Sequence, residues 1–198
     1  MQTVFVRTRP AAKLATAISA WDGDGFTVSC ELAYPPETSP EPPTPLRDAI
    51  EQQFAIRPQS YLLTAGTFAL NLDAQQRPVT LGFYTNPKRW AIGKLAPLAG
   101  DAGIPYLDAP FDSNGHADEA CEPEALYDPS SATLCLLWGP ADTWCVVAPL
   151  FYLGLTVDGR LTQIRLNALS VPEKDWHEEK PADGSWLAKL RRRLDPSQ

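Results

Sequence analysis

The sequence predicts an α+β chain made of two related antiparallel β units (pseudo-duplicated meanders) with peripheral helices. Three observations carry this reading. Residues 61–83 align without a gap onto residues 144–166, at a constant offset of 144 − 61 = 83. In both segments the apolar residues fall on alternate positions, the period of a strand with one buried face. Three other stretches space their apolar residues three or four apart, as a helix with one buried face does.

The aligned pair comes first because it organises the rest. Identical positions are Ala65/Ala148, Phe68/Phe151, Leu70/Leu153, Leu72/Leu155 and Arg77/Arg160. Similar positions are Tyr61/Trp144, Leu63/Val146, Leu81/Ile164 and Phe83/Leu166. The turn residues Ala74-Gln75-Gln76 and Val157-Asp158-Gly159 lie at the same place, and Asp-Gly is a strong hairpin signal. Each meander leads into a short helical start ending in tryptophan, at Trp90 and at Trp176. Ser170 and Glu173 have the spacing of a capping box. The likeness extends backwards to Thr27-Val28-Ser29-Cys30 and Ala132-Thr133-Leu134-Cys135. Such matching points to one module used twice.

The remaining elements follow in order. Val4-Phe5-Val6 reads as a short strand. Pro10 suits a first helical turn, and Leu14, Ile18 and Trp21 continue at helical spacing, so residues 10–20 are expected to be a helix. Asp22-Gly23-Asp24-Gly25 is a turn, and residues 26–32 alternate as a strand. Residues 35–45 hold six prolines, which remove donors and fix φ, so this is an extended loop. Leu46, Ile50 and Phe54 place a helix over 46–56. Trp186, Leu187, Leu190 and Leu194 place another over 184–194, with arginines at the end that complements the helix dipole. The halves are 1–100, carrying the proline-rich loop, and 101–198, carrying an acidic segment and the last helix. Together they are expected to form one compact unit.

Charge narrows the function. Net charge is 17 − 24 = −7, which disfavours a phosphate backbone as partner, so no nucleic acid is expected. No apolar run approaches the roughly 20 residues that span a bilayer, so no membrane association is expected. The first residues lack a signal-peptide pattern, and the expected location is cytoplasmic. From Leu95 to Gly159 there is no Lys or Arg but there are ten acids. Asp118, Glu119, Glu122, Glu124 and Asp128 from this block are the candidate contacts to a basic protein partner. An acidic, tryptophan-rich sheet protein of this kind suits a non-enzymatic bacterial inhibitor of the immunity or antitoxin type.

The alternative is a hydrolase using Asp/Glu or a loop-bound divalent metal. No cofactor is expected on the first reading. On the second, Asp112, Asn114, His116 and Asp118 space oxygen and nitrogen ligands at alternate positions, as calcium loops space theirs. The loop departs from the EF-hand pattern, because glycine stands fourth instead of sixth and no glutamate stands twelfth. His177 lacks the second histidine of a helical zinc site. Cys121 sits among carboxylates, which disfavour its thiolate. Cys135 and Cys145 are expected opposite each other across a hairpin, as two small buried residues. No nucleophile elbow, phosphate-cradling loop or dinucleotide fingerprint is present.

Overall fold

A computed structural model describes residues 1, 3–36 and 58–177. Most of the proline-rich loop and the expected helices 46–56 and 184–194 lie outside the described residues. The described chain is sheet-dominated rather than α+β: its strands form two mixed sheets, and its one α-helix is the single turn α1, Glu173–Trp176. The strands are β1 (Phe5–Pro10), β2 (Thr16–Asp22), β3 (Thr27–Ala33), β4 (Ser60–Ala65), β5 (Phe68–Asp73), β6 (Pro78–Tyr84), β7 (Ala91–Ile92), β8 (Asp101–Asp108), β9 (His116–Asp118), β10 (Glu124–Asp128), β11 (Thr133–Leu137), β12 (Thr143–Ala148), β13 (Phe151–Leu155) and β14 (Leu161–Leu166). A 3-10 turn at Pro87–Arg89 precedes β7.

The eight-stranded sheet runs β1-β8-β12-β13-β14-β11-β10-β7, and the six-stranded sheet runs β2-β3-β6-β5-β4-β9. The run β12-β13-β14-β11-β10 in the first thus has the same order as β4-β5-β6-β3-β2 in the second. Registers agree as well. Leu70 faces Leu81 and Leu72 faces Pro78, while Leu153 faces Ile164 and Leu155 faces Leu161. Both pairings skip one residue at the same place, Val79 in one and Thr162 in the other, as a β-bulge does. The turns also agree. Asp73 N donates to Arg77 O and Thr156 N to Arg160 O, both at 3.0 Å, with Gln76 and Gly159 in the left-handed region.

Two details of the expected alignment are corrected. A bulge between Val146 and Ala148 inserts one residue in β12. Leu63, facing Leu70, therefore matches Cys145, facing Leu153, and not Val146; Tyr61 likewise matches Thr143. In the preceding strands, Val28 faces Phe83 and Leu134 faces Leu166, so Thr27 corresponds to Thr133, one residue later than the sequence alone suggests. Cys135 and Cys145 do not face each other. Cys135 sits opposite Arg165, and Cys145 opposite Leu153 and Asp101, and both are free thiols. Burial pushes each up to about 11.

The expected helix at 10–20 is absent: Pro10 ends β1, residues 11–15 belong to no strand, and the rest lies in β2. β2 pairs with β3 along its whole length, from Thr16↔Ala33 to Asp22↔Thr27. Leu14 precedes β2, and within β2 Ile18 and Trp21, three apart, turn to opposite faces. Ile18 is 72% exposed, so it joins no buried helical stripe. Backbone pairing to β3 decides the outcome. The capping box at Ser170 and Glu173 does not form either: Pro172 is the N-cap of α1 and no side chain caps it. Asn86 does cap the 3-10 turn, accepting from Lys88 N at 3.0 Å.

The two halves are interlocked. The segment leading into β2 donates Ala15 N to Val147 O of β12 at 3.0 Å. The segment leading into β10 pairs β9 in parallel with β4 and donates Glu119 N to Thr64 O at 2.8 Å. β1 and β8 lie antiparallel with Val6 opposite Leu107. Val6 N bonds Gly159 O in the second meander's turn, and Leu107 N bonds Gln76 O in the first's. The first half therefore lends β1 and β7 to the eight-stranded sheet, and the second lends β9 to the six-stranded one. A single buried cluster holds Leu63, Phe68, Leu70, Leu72 and Leu81 together with Leu134, Leu136, Phe151, Leu153 and Ile164. At about 1.5–3 kcal/mol for each large apolar side chain fully buried, this shared core dominates the stability of both sheets.

Candidate functional site

Residues 119–123 cross from β9 in the six-stranded sheet to β10 in the eight-stranded one. They run past the β4–β5 turn, and the seam they make with the end of β6 opens into a groove of about 730 Å³. The first half supplies Thr67, Tyr84, Arg89 and Trp90, and the second supplies Glu122 and Glu124. The groove exists only because the halves meet there.

Local sequence explains its walls. Gly66 has φ +61°, and a Cβ there would lie 3.0 Å from Glu122 Cβ, so a side chain would push the crossing segment away. Thr67 then holds Glu122: its amide donates to Oε1 at 3.1 Å, and its hydroxyl bonds the same oxygen. Trp90 forms the floor. Its Nε1 donates to Thr85 Oγ1 at 3.0 Å, and its ring lies 5.6 Å from Trp21 on one side and 5.6 Å from Tyr127 on the other. Tyr127 continues to Trp176 at 6.1 Å, and Trp21 Nε1 donates to Asp175 Oδ2 at 2.8 Å. A row of aromatic rings thus ties both sheets and α1 together beneath the groove. Tyr84, 60% exposed, stands at its rim.

The five acids expected to meet a partner divide. Asp118, Glu122 and Glu124 are exposed on or beside the crossing. Asp118 Oδ1 accepts from Thr64 Oγ1 at 2.8 Å. Glu119 and Asp128 are withdrawn from that surface, at 5% and 3% exposure. Glu119 Oε1 accepts from Thr3 N at 2.8 Å and from the Thr3 hydroxyl. Asp128 accepts from Leu95 N at 2.9 Å, Ser130 N at 2.9 Å and Ser130 Oγ at 2.6 Å. These donors, the Leu95 amide first, hold its carboxyl far below the usual range. Both acids are structural ties. Sequence shows their charge but not that Glu119 turns to Thr3 and Asp128 to Leu95 and Ser130.

The residues spaced as a cation loop serve a turn. Asp112 Oδ1 accepts from Asn114 N at 2.8 Å and His116 N at 2.9 Å, and these backbone donors lower its pKa. Asp112 N donates to His116 O at 2.8 Å. Gly115 adopts φ +80° with Pro58 and Ser60 packed against it, and His116 then starts β9. Among the described residues, no three His, Cys, Asp or Glu side chains come together as metal ligands. His177 closes α1 through its amide, 2.8 Å from Glu173 O. Cys121 is exposed, and its carbonyl accepts from Trp138 Nε1 at 2.8 Å.

No protein-family model matches the chain, and no curated protein matches it closely enough to be a relative. No helix among the described residues is long and apolar enough to cross a membrane. The geometry of the seam is therefore the basis for a functional reading.

Proposed function

We propose that this is a non-enzymatic binding protein of the inhibitor kind, cytoplasmic, whose interdomain groove receives a basic segment of a protein partner. The observation that carries the reading is the pairing of Glu122 and Glu124 on the wall of an open groove whose floor is aromatic. Arg89 is the cation there, so the lining keeps a net negative charge. Asp118 extends that charge along the crossing. Carboxylates at a rim speed encounter with a cationic partner and fix its register, while aromatic surface supplies contact area. Glu122 is already oriented by Thr67, which lowers the ordering cost of a contact.

The same reading includes an origin for the groove. We infer that the two sheets descend from one β unit used twice. The shared strand order, the bulges at Val79 and Thr162 and the matching turns support it. On this view the seam is where two copies meet face to face, and the 119–123 crossing is what distinguishes the second copy.

The test is a titration of the full chain with a labelled, arginine-rich peptide of about ten residues. Binding is expected to weaken about tenfold in E122K/E124K and to fall with added salt. D24K/E31K, which changes net charge equally at exposed positions elsewhere, should leave most of the affinity intact. Equal loss in the two double variants would remove the groove as the binding site.

A further inference from the structure

Arg165 carries a charge that the fold does not neutralise. It lies on β14 between Ile164 and Leu166, which turn into the core, so its side chain leaves on the opposite face. There it is 6% exposed. Nη1 donates to Ala96 O at 2.7 Å, whereas Nε is buried without any partner. Among the described residues no carboxylate pairs with it. Asp128, which holds Leu95 next to the Ala96 that Arg165 bonds, is committed to Leu95 and Ser130. A buried guanidinium normally has a counter-charge, because an ion stripped of water is costly to leave unpaired.

The guanidinium lines a pocket of about 520 Å³ between the outer face of the eight-stranded sheet and the 95–98 segment. Asn167, Ser131 and Thr133 stand beside it, and Leu95, Leu98 and Leu150 supply the apolar part of the lining. Thr133 Oγ1 lies 3.4 Å from Asn167 Oδ1, and Ser131 Oγ donates to Thr133 Oγ1 at 3.0 Å, so these side chains form one ordered polar edge.

We propose that this pocket binds a small organic carboxylate with an apolar body. One guanidinium matches one negative charge, and its planar fork suits a carboxylate. The leucines suit a short hydrocarbon or an aromatic ring. The site shares no lining residue with the acidic groove and does not depend on it.

The test uses the full chain, benzoate as probe, and melting temperature and calorimetric titration as readouts. Benzoate at about 10 mM should raise the melting temperature saturably by about 2 °C or more, at matched ionic strength. Benzamide, of the same shape but neutral, should not, and inorganic phosphate should act more weakly. R165M should fold, lose the benzoate response and leave arginine-peptide binding unchanged. If R165M does not fold, N167L, which fills the polar edge of the pocket, replaces it and should abolish the response. No saturable shift in the wild-type chain, an equal shift with benzamide, or a shift retained in the variant that folds would overturn the proposal.

Discussion

Phe68 and Phe151 hold equivalent places in the two sheets. Each is fully buried, each opens the middle strand of its meander, and they face Phe83 and Leu166 across matching registers. F68A and F151A should each destabilise the chain by about 3–5 kcal/mol, through lost burial and an incompletely collapsed cavity. Phe68 also meets the Trp138 ring edge-on at 5.1 Å, so F68A should cost at least as much. Urea unfolding of both variants checks this. A cost below about 1 kcal/mol at either position would contradict the shared core.

Acid sensitivity should run through Asp128. Its carboxyl is depressed by the Leu95 amide and by Ser130. A depressed acid stabilises the fold above its unfolded value, near 3.9, and loses that contribution as pH falls towards its folded value. The urea midpoint of the wild-type chain should therefore drop below about pH 4. D128N should flatten that limb while lowering stability at neutral pH. Identical slopes for the two chains between about pH 4 and 2 would exclude Asp128 as the cause.

The 112–116 turn should be intolerant of a side chain at Gly115. Its φ is +80°, and an added Cβ would lie 2.7 Å from Ser60 O. G115A should cost about 1–3 kcal/mol, or roughly 2–4 °C in melting temperature per kcal/mol for a chain of this size. A calorimetric scan reads this directly, and an unchanged melting temperature would mean that the turn is built differently.

Sequence reasoning reached some of this architecture and missed the rest for identifiable reasons. Alternation at Phe68, Leu70 and Leu72 and at Phe151, Leu153 and Leu155 exposes the meanders, because one-sided burial writes itself into a period of two. The bulge at Val147 does not show, since an extra residue leaves no compositional mark when valine and alanine flank it. β2 is misread because Leu14, Ile18 and Trp21 have helical spacing and a sparse edge strand lacks the burial that would oppose that reading. The groove was half legible: Glu122 and Glu124 stand out as charge, but Thr67 and Trp90 come from 55 and 34 residues away from Glu122 and Glu124 respectively, and only the crossing brings them together. Arg165 carried a usable signal, the one charged residue of β14, set between Ile164 and Leu166.

The two halves exchange strands, β1 and β7 in one direction and β9 in the other, and the groove lies on their seam. The most direct measurement is near-ultraviolet circular dichroism during urea titration of fragments 1–100 and 101–198, alone and mixed in equal amounts. The account predicts no cooperative transition for either fragment alone and a single cooperative transition for the mixture. A cooperative transition in one fragment by itself would contradict it.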